Sequence, residues 1–199
     1  MNLPRKLSRV VSAVACCVLA TCLSVGLVAC ANNDEQLIRA SVTKTLDLFK
    51  DPTKEKLGDF VESSSVDVDQ LQGYGIDVYE FFEHGLARFD YEVGEVRVSG
   101  DTAEVDLSLT NVDLDAVASA VADDMRSDLD SYVSLMAGEN AQQEFMKVYF
   151  QKVYEALDAS EETVTTEATL KLTKRNGEWE VDEDSMGEVI SGVWGGVEP

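Results

Sequence analysis

YEVGEVRVSGDTAEVDLSLT, from Tyr91 to Thr110, is the stretch whose reading decides the fold. Between Thr102 and Thr110, apolar Ala103, Val105, Leu107 and Leu109 alternate with Thr102, Glu104, Asp106, Ser108 and Thr110. A period of two sends successive side chains to opposite faces of a strand. Tyr91 to Val98 reads as its partner, and Ser99-Gly100-Asp101 is the turn between them. The two runs predict a hairpin with one wet face. Its apolar phase slips between Val93 and Val96, with Gly94 between them, which predicts a bulge that bends the strand.

A second hairpin is expected from Thr163 to Thr173 and Glu178 to Asp182, with Val164, Ala168, Leu170 and Leu172 facing inward. Asn176-Gly177 joins the two runs, and Asn-Gly between alternating segments is the strongest short hairpin signal. Trp179, on the inward phase beside Val181, is a candidate core anchor.

Helical spacing fills the remainder. Asp34 is read as the cap of a helix to about Lys50, with Ile38, Val42, Leu46 and Phe49 on one face. Asp51-Pro52 stops it and caps a shorter helix carrying Leu57, Phe60 and Val61, with a loop at Ser63 to Ser65. Asp77 and Glu80 form a capping box, with Ile76 and Phe81 as its hydrophobic staple, for a third helix whose stripe is Val78, Phe82, Leu86 and Phe89. A long helix is expected from Leu114 to Met136, through Val117, Val121, Met125, Leu129 and Tyr132. Gly138-Glu139-Asn140 breaks it, and Ala141 to Leu157, with Met146, Phe150 and Val153, returns beside it as an antiparallel pair. A closing helix from about Ser185 carries Met186, Val189, Ile190, Val193 and Trp194. Three helices, a hairpin, a helical pair, a hairpin and a last helix make an α+β domain, with one antiparallel sheet and helices packed on its apolar face.

The N-terminal segment reads as an address. Basic Arg5, Lys6 and Arg9 precede an apolar run from Val10 to Val28, with small Ala29 before a break, the parts of a secretory signal. Leu27-Val28-Ala29-Cys30 resembles the lipobox of bacterial lipoproteins. That resemblance implies diacylglyceryl attachment at Cys30 and cleavage before it by signal peptidase II, with Leu27, Val28 and Ala29 as the recognition residues. An uncleaved transmembrane helix is the alternative, since Val10 to Ala29 is nearly long enough to span a bilayer, although its many small residues make a weak permanent span. Cys16, Cys17 and Cys22 lie in the segment to be removed, so the mature chain must fold without a disulfide framework. The expected organisation is a signal peptide at 1–29, a lipidated cysteine and short tether at 30–33, and a single domain at 34–199. The four steps from Cys30 to Asp34 through the extended tether Ala31, Asn32 and Asn33 reach roughly 15 Å at about 3.5 Å per residue, so the domain sits close to the bilayer.

Charge limits the partners. Of 16 Lys and Arg, three precede Cys30, leaving 13 against 38 Asp and Glu and a mature net charge near −25. Such a surface repels nucleic acid and anionic headgroups. The membrane is then held through the lipid alone, for which two acyl chains suffice and one is marginal.

Beyond the lipobox, the runs Gly75-Ile76-Asp77 with Phe81-Phe82, Phe89 to Val96, Gly100 to Val105, and Asn176 to Val181 resemble small Gram-positive lipoproteins assigned to domains of unknown function. Their layout is similar to the cystatin-like and nuclear transport factor two-like cone, a curved sheet wrapped on a helix. This resemblance implies an envelope location and a pocket, and brings no catalytic residue with it.

Motifs for chemistry are scarce. A calcium loop starting at Asp182 has Gly187 at position six, but Met186 stands at five and Val193 at twelve, and Asp67-Val68-Asp69 fails sooner. No cofactor motif is present. His84, the single histidine, falls about 200° from Phe82 at 100° per residue, a placement that predicts solvent. With His84 facing water and the only mature thiol, Cys30, lipidated, a serine or cysteine nucleophile lacks its base, and Tyr91 alone makes no site. Asp124 and Asp128, four residues apart at the edge of the Met125 stripe, are the weak metal candidates, against the alternative that both point to water.

Two functional classes follow. One is a non-enzymatic envelope lipoprotein that binds a small apolar ligand or an envelope partner through the concave face of the sheet, or that serves as an accessory without ligand. The other is a carboxylate-dependent enzyme acting on cell-wall material, which needs two inward acids at a defined separation.

Overall fold

A computed structural model describes residues 31–63, 68–73, 75–128, 130, 132–133 and 140–197. Its elements are α1 (Ala31–Lys50), α2 (Lys54–Ser63), α3 (Val68–Gly73), α4 (Val78–Gly85), β1 (Asp90–Ser99), β2 (Thr102–Val112), α5 (Leu114–Ser127), α6 (Ala141–Ala159), β3 (Thr163–Arg175), β4 (Glu178–Val181) and α7 (Met186–Val193). A 3-10 turn at Glu183–Ser185 leads into α7.

The two hairpins share one antiparallel sheet in the order β1-β2-β3-β4, because β2 pairs on its far side with β3 from Thr102↔Thr173 to Val112↔Thr163. The architecture is therefore α+β, compatible with the cystatin-like and nuclear transport factor two-like cone. The register of β1 slips between Val93 and Val96, where the bulge was expected. Arg39 on α1 answers it: its guanidinium donates to the Val93 carbonyl at 2.7 Å and the Gly94 carbonyl at 2.6 Å. Asn176 and Gly177 turn β3 into β4 with φ of 55° and 89°, the paired positive values of a type I′ turn.

α1 runs along β1 in the opposite direction. Arg39 meets Val93, the Tyr91 hydroxyl lies 3.2 Å from the Thr43 carbonyl, and Lys50 pairs with Asp90. Ile38, Val42, Leu46 and Phe49 are all buried, as their spacing predicts. The helix begins at Ala31, so Asp34 is not its cap. Asp34 sits in the first turn and pairs with Lys174 at 2.8 Å, and no extended tether remains at 31–33. Nor does Asp51 cap α2. The Thr53 carbonyl accepts from the Leu57 amide, while the Asp51 carboxylate pairs with Lys56. Ser63 belongs to α2, and residues 64 and 65 of the expected loop lie outside the described residues. The short α3 carries no expectation from spacing.

Asp77 caps α4 as expected, its carboxylate accepting from the amides of Tyr79 and Glu80, and Val78, Phe82, Leu86 and Phe89 are buried. α5 and α6 lie antiparallel. The Asp113 amide donates to the Glu162 carbonyl at one end, Lys152 faces Asp124 further along, and Tyr132 meets Phe145 at the other. α5 stops at Ser127, and after the turn at Asp128 helical backbone returns at Asp130, Tyr132 and Val133, so the helix expected as far as Met136 is interrupted. Asp123, Asp124, Asp128 and Asp130 crowd this end, where the helix presents its negative pole, and Ser127 Oγ donates to the Asp124 carbonyl in competition with the helical ladder. Leu129 and Met136, with the Gly138-Glu139 break, lie outside the described residues.

β2 ends at a buried joint. Asn111, fully buried, donates through Nδ2 to the carbonyls of Gly85 at 2.9 Å and Val193 at 2.8 Å, while its Oδ1 accepts from the Val112 amide. One amide thus satisfies the C-terminal carbonyls of both α4 and α7. Gly195 passes so near the end of β2 that a Cβ there would lie 1.8 Å from the Val112 carbonyl oxygen, so this crossing admits no side chain.

Candidate functional site

The inner face of the sheet is closed. Ala103, Val105, Leu107, Leu109, Ala168, Leu170 and Leu172 are all buried, in one cluster with side chains of α1, α2, α4 and α7. Trp194 rests on Phe81 and Phe82, ring centroids 5.5 and 5.8 Å away. The face expected to receive a ligand or partner is, among the described residues, spent on core packing.

The outer face is different. Among the described residues no helix lies across it, and its side chains form cross-strand pairs. Ser108 Oγ donates to Glu167 at 2.8 Å, and the Thr110 and Thr165 hydroxyls meet at 2.8 Å. Arg97 on β1 reaches across to both oxygens of Asp106 in a bidentate pair, and contacts Glu104 and Glu95 at 3.3 Å each. Thr169 Oγ1 lies 3.4 Å from the same Asp106 carboxylate. The Arg97 hydrogen bond holds the Asp106 carboxyl below the usual carboxylate range, and Asp106 in turn keeps the guanidinium protonated.

Where this face meets the exposed side of α7, an open groove of about 760 Å³ forms. The sheet contributes Arg97, Glu104, Thr169 and Lys171; Asp184, Glu188 and Ser191 close the other side. The 3-10 turn is locked in place by Ser185 Oγ, which accepts from the Lys171 amide at 3.0 Å and donates to the Asp182 carbonyl at 2.8 Å. Those bonds commit Ser185, so it is not a free nucleophile. The groove offers hydroxyls and charges of both signs, a setting for polar recognition.

Cys30, with Leu27, Val28 and Ala29, lies outside the described residues. Asp124 and Asp128 are both exposed, as the reading that points them to water has it. Asp124 is exposed, faces the Lys152 ammonium at 3.5 Å and accepts from the Tyr132 hydroxyl at 3.4 Å. Asp128 lies past the last turn of α5 as its C-cap. The cation beside Asp124 is Lys152 of the neighbouring helix, and among the described residues no group of three metal-ligating side chains forms. His84 is not left in solvent either. α6 packs on that side of α4, stacking Tyr154 on the imidazole at 4.5 Å and placing Asp158 2.7 Å from Nδ1. Tyr91 is taken up by α1, its hydroxyl donating to Asp47 at 2.6 Å.

The sequence reading missed three features. Arg97 is a lone cation among the acids on the polar phase of the first hairpin, a signal that cross-strand pairing could have exploited. Asn111 continues the inward phase after Leu109, where a polar residue needs partners. Lys174 with Asp34 had no signal, being a pair separated by 140 residues.

No family model, no curated protein and no solved structure matches this chain. Among the described residues no helix is long and apolar enough to cross a membrane.

Proposed function

We propose that this chain is a membrane-anchored lipoprotein of the cell envelope, a non-enzymatic binding or accessory module on the extracytoplasmic face. It is held by a diacylglyceryl group at Cys30 and engages its partner by the outer face of its sheet. The observation that carries the choice of surface is the asymmetry of that sheet: every inward strand side chain from Ala103 to Leu109 is buried, while the outward ones remain open and polar. Among the described residues the inner face is packed, which favours the outer face over a small apolar ligand on the inner one. Hydroxyls and paired charges on the outer face suit a polar envelope partner, and a mature net charge near −25 disfavours nucleic acid. The anchor rests on the lipobox and the basic, then apolar, leader.

Mass spectrometry of membrane fractions tests the anchor. The wild-type chain is expected to begin at a diacylated Cys30, and Cys30→Ser to remain as unlipidated precursor. An unmodified Cys30 in a full-length membrane chain overturns the reading. Release of reducing ends from cell-wall glycan by the purified domain would overturn its non-enzymatic part in favour of carboxylate chemistry.

A further inference from the structure

We propose that the domain stands on the bilayer in one fixed sense, with the two hairpin tips against the lipid headgroups and the acidic α5–α6 pair held at the far end. This rests on the lipid-anchored reading above. Ala31, the residue next to Cys30, is already helical, so no flexible stalk separates the anchor from the fold. The start of α1 is then fixed to the tips. Lys174 Nζ donates to Asp34 at 2.8 Å, and the Lys174 amide donates to the Asp101 carbonyl in the β1–β2 turn at 2.7 Å. Lys174 also pairs with Trp179 across the second hairpin. Asp34, both turns and Trp179 therefore share one end of the molecule.

From there α1 climbs away. Its successive contacts, Arg39 to Val93, Thr43 and Asp47 to Tyr91, and Lys50 to Asp90, follow β1 from its middle to its start. Twenty residues at about 1.5 Å each carry the chain roughly 30 Å. At that far end β2 runs into α5 and α6 runs into β3. Charge agrees with this direction. Residues 113–162 hold 12 acidic side chains against three basic ones, whereas at the near end Lys174 is neutralised by Asp34 and Arg175 by Glu180. An anionic headgroup layer repels the first group, and its field decays over about 10 Å. A separation of some 30 Å places the acidic pair beyond that field.

The mature chain has no thiol besides Cys30, so single cysteines can be introduced for labelling: Asp101→Cys and Arg175→Cys at the tips, Glu161→Cys and Asp123→Cys at the far end. Full lipidated protein is reconstituted into vesicles of phosphatidylglycerol and phosphatidylcholine carrying a headgroup nitroxide, and fluorescence quenching is read after flotation. Quenching at both tip positions is expected to exceed that at both far positions several-fold. Floating protein with equal quenching, or stronger quenching at positions 161 and 123, overturns the orientation and leaves the anchor standing. Protein that does not float overturns the anchor, and the orientation with it.

Discussion

Asp34 and Lys174 form an ion pair at 2.8 Å in which the carboxylate side chain is 9% exposed and the lysine 19%. The pair ties the first turn of α1 to the end of β3. Removing one partner of a buried pair leaves an uncompensated charge and costs about 3 to 5 kcal/mol when burial is complete. Lys174→Ala is therefore expected to lower the urea midpoint of the 31–199 domain strongly. Lys174→Met combined with Asp34→Leu, which removes both charges, is expected to recover much of the loss. Equal midpoints for Lys174→Ala and wild type would show that the contact carries no energy.

Asn111 serves two helices and its own strand at once. Asn111→Ala leaves the Gly85 and Val193 carbonyls and the Val112 amide without a partner, at about 1 to 3 kcal/mol for each buried group. A loss of at least about 3 kcal/mol is expected by chemical denaturation. Asn111→Asp adds a pH dependence of known sign. A carboxyl facing two carbonyl oxygens has its folded pKa raised above the ordinary carboxylate value, so stability is greatest below about pH 4 and falls as pH rises through the folded pKa. The wild-type chain lacks that slope at this position.

Four tyrosines predict behaviour in alkali. Burial raises the Tyr91 pKa, with Asp47 adding to it; burial raises those of Tyr149, Tyr132 and Tyr154, with Asp124 acting on Tyr132 and Glu80 on Tyr154. A folded pKa above the unfolded value of about 10 gives stability that is complete below pH 10 and lost as pH climbs beyond it. Thermal melts are expected to hold steady up to that point and then fall steeply. In Tyr91→Phe the fall should be shallower, with neutral-pH stability lower by about 1 kcal/mol. An unchanged alkaline profile in Tyr91→Phe would remove Tyr91 from this account.

Trp179 is buried under the Lys174 ammonium, which stands 5.3 Å above its ring, and its Nε1 has no protein partner. Trp179→Ala is expected to cost about 3 to 5 kcal/mol. Trp179→Phe keeps an aromatic face for the lysine and removes the unpaired N–H, so it is expected to cost far less. Denaturation midpoints followed by Trp194 fluorescence distinguish the two. A Trp179→Phe loss as large as that of the alanine variant would mean that the N–H is satisfied.

The periods of two and 3.6 along the chain determined both hairpins, the bulge at Gly94 and nearly every buried apolar side chain, while residue identity alone set the Asn176-Gly177 turn and the α4 cap at Asp77. Each of these is local: it depends on backbone conformation and on which side of an element is dry. Periodicity is silent on which neighbour does the drying. Only the tertiary structure decided that α6 covers the His84 side of α4, that Lys152 stands beside Asp124, and that Asp34 answers Lys174 rather than the amides of its own helix. The same limit applies to the inner face of the sheet. An apolar strand face looks alike whether it lines a pocket or a core, and its fate is set by how many helices the topology returns to it. Here α1, α4 and α7 all return and fill it, while the polar side chains of the outer face stay uncovered by any described helix.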